Sequence, residues 1–368
     1  MADRFTGTGM VDWDFAAATA RRLMRPGPEV TRSEADAAVD SLRRAAAEAD
    51  GHVRRLTGLV VPGADPDSPP PVSVVDRPGW VDANTAGLST LMGPLITRLE
   101  EQRPAPPGRF ALTVGSRVTG LQAGAVLAFL SGRVLGQFEI FASAEGRLLL
   151  VAPNVVEAER NLGVDPGDFR LWVCLHEVTH RVQFTAVPWL RGHLHEEIAR
   201  LVEAIDLDPE ALRESLSNAV RELGSMVRGT GDRNAPGLFA LVQSSAQRAV
   251  LDRLTGVMSL LEGHAEHVMD AVGPEVVPSV ERIRERFTGR RRGSGPLDRL
   301  LRRLLGLDLK MRQYADGRAF VSTVVSAVGM DGFNAVWTSP QTLPSRAEIA
   351  APADWVERVH GIRPAVSA

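Results

Sequence analysis

Apolar residues recur three and four positions apart through most of this chain, the period of helices that bury one face. The first segment, to about Leu59, reads as helical. Thr31 and Glu34 form a capping box, and apolar periodicity continues from Ala35 to Leu56. A Pro- and Asp-rich connection, Pro62 to Pro78, leads to a helix from Trp80 to Glu101, and Pro104 to Gly108 break it. Ser116 to Val134 reads as a close-packed buried helix carrying Gly120 and Gly124. The pattern then changes. Phe138–Phe141 and Leu148–Val151 flank Ala144-Glu145-Gly146, which predicts a β-hairpin. Helical spacing resumes from Asp165 to Phe184, from Trp189 to Leu223, and around Leu260 to Val272, where Gly273-Pro274 is a strong stop. Gly229 to Gly237 reads as a loop. Gly289 to Gly295 reads as a flexible segment, with Arg290, Arg291 and Arg292 as a solvated loop, an anionic-partner patch or a lid. The expected fold is mainly α, of the α+β class, with a small β-hairpin or sheet. An N-terminal helical region, 1–110, would precede a chemistry-bearing region, 111–368, with a single domain as the alternative.

The helix predicted from Asp165 to Phe184 carries the chemistry. Asp165 can act as N-cap, Pro166 fits the first turn, and Asp168 places negative charge there. Leu171, Leu175, Val178 and Val182 form one apolar stripe, and Phe169, Trp172, Val173 and Phe184 add bulk elsewhere. A helix apolar on most sides is buried. Within it lies His176-Glu177-Val178-Thr179-His180. Histidines four apart share one helix face and can grip one metal ion. Two imidazoles suit zinc, and the adjacent carboxylate of Glu177 can act as general base on zinc-activated water. The bland alternative is two core histidines bonded to carbonyls. Cys174 lies about 200° around the helix from His176, so it reads as a small core residue.

A catalytic zinc commonly has three protein ligands. Three and six residues beyond His180 stand Gln183 and Ala186, which excludes the metzincin continuation. The better candidate is downstream, in Leu261-Glu262-Gly263-His264-Ala265-Glu266-His267. Leu261, Ala265, Val268 and Val272 make its core stripe. Glu262, Glu266 and Asp270 fall on another face and repel one another unless a cation is near. Glu262 is therefore the expected third ligand. Gly263 beside it would let the backbone come close to the motif helix. Glu266 would accept the second ring N–H of a ligating histidine. A solvated acidic face, or ligation by His264 or His267 instead, are the competing readings.

At this point a resemblance becomes legible. His-Glu-x-x-His followed by a Glu-Gly-x-Ala helix resembles the glutamate-zincins. That resemblance implies a glutamate on the second helix as third ligand and an acidic residue one turn later in support, the places of Glu262 and Glu266. The stretch from His180 to Glu262 is longer than in thermolysin-like or aminopeptidase-type members. The whole chain is similar to the actinobacterial zincin-like family of zinc metallopeptidases, also labelled coenzyme F420 biosynthesis-associated. Val11-Asp12-Trp13, Val134-Leu135-Gly136-Gln137-Phe138, Asp168 to Val173 and Pro188-Trp189-Leu190-Arg191 carry that similarity. So do Lys310-Met311-Arg312-Gln313-Tyr314, Trp337-Thr338-Ser339-Pro340 and Leu343-Pro344. The family implies a mainly helical metallopeptidase fold and no particular substrate. Nothing in these residues suggests a deazaflavin site.

Composition narrows the rest. The net charge of −3 over 368 residues implies no general attraction to nucleic acid or membrane. A single cysteine excludes an internal disulfide and is compatible with a reducing compartment. The N-terminus lacks a charged-then-apolar signal pattern, and the most apolar stretch, Val118 to Leu130, falls short of the roughly 20 residues a membrane span needs. A cytoplasmic protein is expected. Tyr314 is the only tyrosine. It is a candidate oxyanion donor, against a plainer role capping the core. The expectation is a zinc-dependent hydrolase, a metallopeptidase in which His176, His180 and Glu262 hold Zn2+ and Glu177 is general base. The alternatives are a zincin-fold binding or scaffold protein with a structural zinc, and hydrolysis of a non-peptide amide or ester.

Overall fold

The helical periodicity becomes helices almost everywhere it was expected. The computed structural model describes residues 10–63, 70–101, 109–143, 145–204, 245–292 and 307–363. The fold is mainly α with a three-stranded mixed sheet. The described residues divide into two compact units, drawn from Met1–Val53, Gly63–Arg181 and Pro274–Ile283, and from Arg54–Pro62, Val182–Gly273 and Arg284–Ala368.

In the first unit α1 (Trp13–Leu23) lies against the long α4 (Arg109–Ser131). Two glycines set the distance. A Cβ at Gly120 would stand 2.6 Å from the Asp12 carbonyl oxygen, and one at Gly124 would stand 2.5 Å from that of Ala16. The expected close-packed helix is therefore present on this face. Its other face is not buried: Val114, Val118 and Leu121 are exposed, because apolar composition does not itself enforce burial. Asp12 caps α1 by accepting from the Phe15 amide at 2.8 Å. The capping box at Thr31 and Glu34 opens α2 (Arg32–Thr57).

The expected hairpin is β2 (Gly136–Glu139) and β3 (Arg147–Val151), antiparallel with Gly136 opposite Leu150. A third strand was not anticipated. β1 (Ser73–Val75), inside the Pro- and Asp-rich connection, pairs parallel with β3, giving the order β1-β3-β2. The central strand is buried on both faces at Leu148, Leu149, Leu150 and Val151, as a covered strand should be. α3 (Arg77–Glu101) packs Trp80 and Val81 with Leu149 and Val151. α5 (Ala152–Leu162) leaves β3 directly and ends at Gly163, whose φ of 58° is left-handed.

The second unit is built on α8 (Ser245–Val272) and α10 (Leu307–Phe333), which cross where Gly263 faces Gly317. A Cβ on either glycine would strike backbone of the other helix. The close approach that Gly263 makes to α10 was not anticipated from sequence. A left-handed Gly329, φ 73°, breaks α10 near its end. α9 (Val280–Arg292) runs helical through Arg292, over part of the segment expected to be flexible. One helix among the described residues, Asp316–Trp337, is long and apolar enough to cross a membrane by length and composition. Its Phe320, Val321, Val324 and Phe333 are fully buried in the fold. The Gly229–Gly237 loop lies outside the described residues, as does the predicted helix beyond Ala204.

Candidate metal centre

The motif helix, α6, spans Pro166–Ala186. Asp165 caps it, its Oδ1 accepting from the Asp168 amide at 2.9 Å. Side-chain anchors then hold it along its length. Asp168 accepts from the Ser279 amide at 2.8 Å. Arg170 makes a two-pronged contact to Glu159, at 2.6 and 3.0 Å. Burial pushes the Glu159 carboxyl up from its ordinary value, and the Arg170 hydrogen bonds and charge oppose that. Arg181 pairs with Asp50 at 2.8 Å, both side chains buried, and also donates to the Pro70 carbonyl at 3.1 Å. Cys174 is fully buried with its thiol against the Leu42 carbonyl, and burial raises its pKa far out of reach. It is the core residue expected from sequence.

From Phe169 to Gln183 every residue is buried except Arg170, His176 and His180. The helix therefore opens toward accessible space in its middle only at the two histidines. Their Nε2 atoms lie 3.2 Å apart. Two nitrogens each about 2.0–2.1 Å from a tetrahedral zinc would stand about 3.3 Å apart. The imidazole pair thus has the spacing that such an ion requires. Glu177 is buried, at 8% exposure. It packs on the first residue of β2: a Cβ at Gly136 would lie 2.5 Å from Glu177 Cγ.

On α8, Glu262 is the one partly accessible residue between Ser259 and Ala265. His176, His180 and Glu262 each offer a ligand atom, and these three atoms lie within 4.8 Å of one another. Among the described residues this is the group of His, Cys, Asp and Glu side chains suited to a metal ion. Two imidazole nitrogens and a carboxylate oxygen are a donor set that suits zinc.

The other expected residues are placed as follows. Glu266 is half-buried one turn beyond Glu262. Asp270, the last of the acidic series, is neutralised by Arg284 at 2.6 Å and Arg318 at 3.3 Å, so its cation is a pair of arginines. His264 is fully buried, with Nδ1 3.0 Å from Gln183 Nε2 and its ring stacked on Phe333. His267 Nδ1 lies 3.2 Å from Ser322 Oγ. Neither belongs to the three-residue group. Tyr314 falls on α10, and its side chain lies outside the described residues.

Two residues were not foreseen. Gln183, three positions after His180, is fully buried and donates to the Leu261 carbonyl at 2.9 Å, next to Glu262. The only sequence signal was an amide on an otherwise buried helix. Gly136 was signalled by a glycine in a strand pattern, which marks close approach of another group. The Trp189 and Trp337 segments, both among those that carry the family resemblance, also meet: Trp189 Nε1 donates to the Trp337 carbonyl at 3.0 Å.

Comparison with known proteins identifies the family. A family model described as zincin-like metallopeptidase matches residues 11–356. A solved structure from Chloroflexus aurantiacus, described as a candidate hydrolase with a novel fold, is similar at TM-score 0.68. It is 32% identical, over 95% of this chain and 99% of that chain. No curated protein matches. From residues 11 to 356, the chain belongs to the zincin-like metallopeptidase family.

Proposed function

We propose that this protein is a zinc-dependent hydrolase that cleaves peptide or amide bonds. The observation that carries the reading is the convergence of His176, His180 and Glu262 within 4.8 Å, with the buried carboxylate of Glu177 next in sequence to His176. His176, His180 and Glu262 would hold the ion. When bound, zinc supplies Lewis-acid polarisation of a carbonyl and lowers the pKa of water in the site. Glu177 takes the proton from the attacking water and delivers it to the leaving nitrogen. Glu266 supports a ligating histidine from one turn away, and Tyr314 is the candidate donor to the developing oxyanion.

Two features favour an enzyme over a structural zinc. A structural site is closed by a fourth protein ligand. Cys174 faces the Leu42 carbonyl and His264 faces Gln183, so neither of the expected closing residues joins the group. The substrate side is supported by the sheet. Val151 N–H donates to the Leu135 carbonyl at 2.8 Å, so Leu135 and Val151 are a hydrogen-bonded pair. Gly136 and Leu150 are then a non-hydrogen-bonded pair, and the N–H and C=O of Gly136 point to the edge of β2 that has no strand partner among the described residues. An extended peptide laid along that edge would pass beside Glu177. We assign no nucleic-acid or membrane partner and a cytoplasmic location.

The test uses the purified protein with stoichiometric zinc and a peptide library. Glu177→Ala should keep zinc and lose hydrolysis, by about 100-fold or more. His176→Ala should lose zinc. Undiminished turnover in Glu177→Ala would sink the mechanism. A wild-type protein that holds zinc tightly but cleaves nothing would favour the scaffold reading.

A further inference from the structure

Gly136 begins the strand that borders Glu177, yet no step of the proposed reaction calls for a glycine there. The space around it does. A Cβ built on Gly136 would lie 2.5 Å from Glu177 Cγ, 2.8 Å from Cδ and 3.1 Å from Oε1. Carbon atoms in packed interiors do not approach so closely, since favourable contact begins near 3.5 Å. With Gly136 the strand backbone itself forms the wall against which the carboxylate rests. Any side chain would have to displace the Glu177 arm or the strand.

The strand cannot easily yield, because the residues on either side of Gly136 are held. Asn154 Nδ2 donates to the Val134 carbonyl and to the Ser131 carbonyl, each at 2.7 Å. Asn154 is oriented in turn by buried Arg77, whose Nε donates to its Oδ1 at 2.7 Å. The Leu135 carbonyl is held by Val151 N–H at 2.8 Å. Gln137 accepts from Trp80 Nε1 at 2.9 Å and donates to Asn84 Oδ1 at 3.0 Å. Glu177 has little room in the other direction, since its own helix is fixed by the Arg170–Glu159 and Arg181–Asp50 pairs. The Arg77–Asn154 network thus holds β2 at the place where only a missing side chain admits the carboxylate.

We infer that Gly136 is a positioning residue for the general base: it sets where the Glu177 carboxylate stands against the first residue of β2. The inference rests on the proposed role of Glu177. It says that a methyl group at 136 damages the site by moving Glu177, with His176, His180 and Glu262 left intact.

A double-mutant cycle on the full-length protein tests this, because coupled neighbours fail to add. Gly136→Ala should lower the unfolding temperature by several degrees. In a Glu177→Ala background, where Cγ, Cδ and Oε1 are gone, the same substitution should cost almost nothing. Gly136→Ala should also bind zinc in unchanged stoichiometry while losing about 100-fold in turnover, the scale of an ångström-sized misplacement. Equal thermal losses in both backgrounds, or full turnover in Gly136→Ala, would overturn the inference. If Gly136→Ala alone does not fold, a folded Gly136→Ala/Glu177→Ala protein upholds it and an unfolded one refutes it. If the wild type shows no zinc-dependent turnover, the proposed reaction fails, and the thermal cycle still decides whether Gly136 sets the Glu177 side chain.

Discussion

The two helices that carry the candidate metal-binding groups are secured in different ways. α6, up to Arg181, is tied by charge: Arg170 to Glu159 and Arg181 to Asp50, with both pairs largely out of water. α8 next to Glu262 is held by shape and neutral hydrogen bonds, its ion pairs at Asp270 lying two turns away and partly exposed. Gly263 meets Gly317, and Gln183 donates to the Leu261 carbonyl. Ion pairs in a low-dielectric interior are strong only when both partners are present. Glycine crossings and amide contacts depend on backbone fit. The histidine helix should therefore be sensitive to loss of a partner, and the glutamate helix to changes of volume or of a single donor.

The largest effect is expected on the charged side. Asp50→Ala would leave Arg181 buried without its carboxylate. Breaking such a pair costs about 3–5 kcal/mol, and chemical denaturation should show it. Replacing both partners, as Asp50→Leu with Arg181→Met, should recover most of that loss, since apolar groups of similar volume are often tolerated in place of a buried pair. A loss of less than about 1 kcal/mol in Asp50→Ala would show that charge does not secure this helix.

The next effect belongs to the other helix and is read in metal affinity. Gln183→Leu keeps volume but removes the donor to Leu261 and the contact to His264. Supporting residues of this kind typically contribute 10–100-fold in metal affinity. Zinc competition against a chelator should show a loss in that range, and the metal-free protein should also unfold at a lower temperature, because a buried carbonyl and a buried imidazole lose their partner. Unchanged zinc affinity would mean that Glu262 is placed without Gln183, and the contrast between the two helices would lose its functional meaning.

The same contrast explains what could be read in advance. The histidine helix was legible because its signals are local: Asp165 as cap, Leu171 to Val182 as stripe, and two histidines one turn apart. Glu262 was legible as an acidic residue on a half-apolar helix. What Gly263 approaches was not, because a glycine announces a close contact without naming the partner, and the partner, Gly317, is far along the chain. β1 was missed for a related reason. Three residues, Ser73 to Val75, are too few to show a period, and their strand exists only because β3 offers them a parallel partner. The outer face of α4 erred in the opposite direction, Val118 and Leu121 being read as buried when they face solvent.

The smallest expected effect is a pH dependence on the glutamate side. Burial lowers the His267 pKa below its ordinary value of 6.5, and Asp270 opposes the shift. His193 and His195 are lowered by burial as well. A histidine with a depressed folded pKa binds its proton less readily in the native state than in the unfolded chain. Its contribution to stability is complete above the unfolded value and is lost as pH falls through that value toward the folded one. Denaturation midpoints should hold steady near about pH 7.5 and decline toward about pH 5.5. In His267→Phe, which cannot titrate, the decline should be shallower, although loss of the Ser322 contact lowers the midpoint at every pH by a similar amount. A parallel decline in wild type and His267→Phe would remove His267 as its source, and His193 and His195 on α7 (Pro188–Ala204) would be the next to replace.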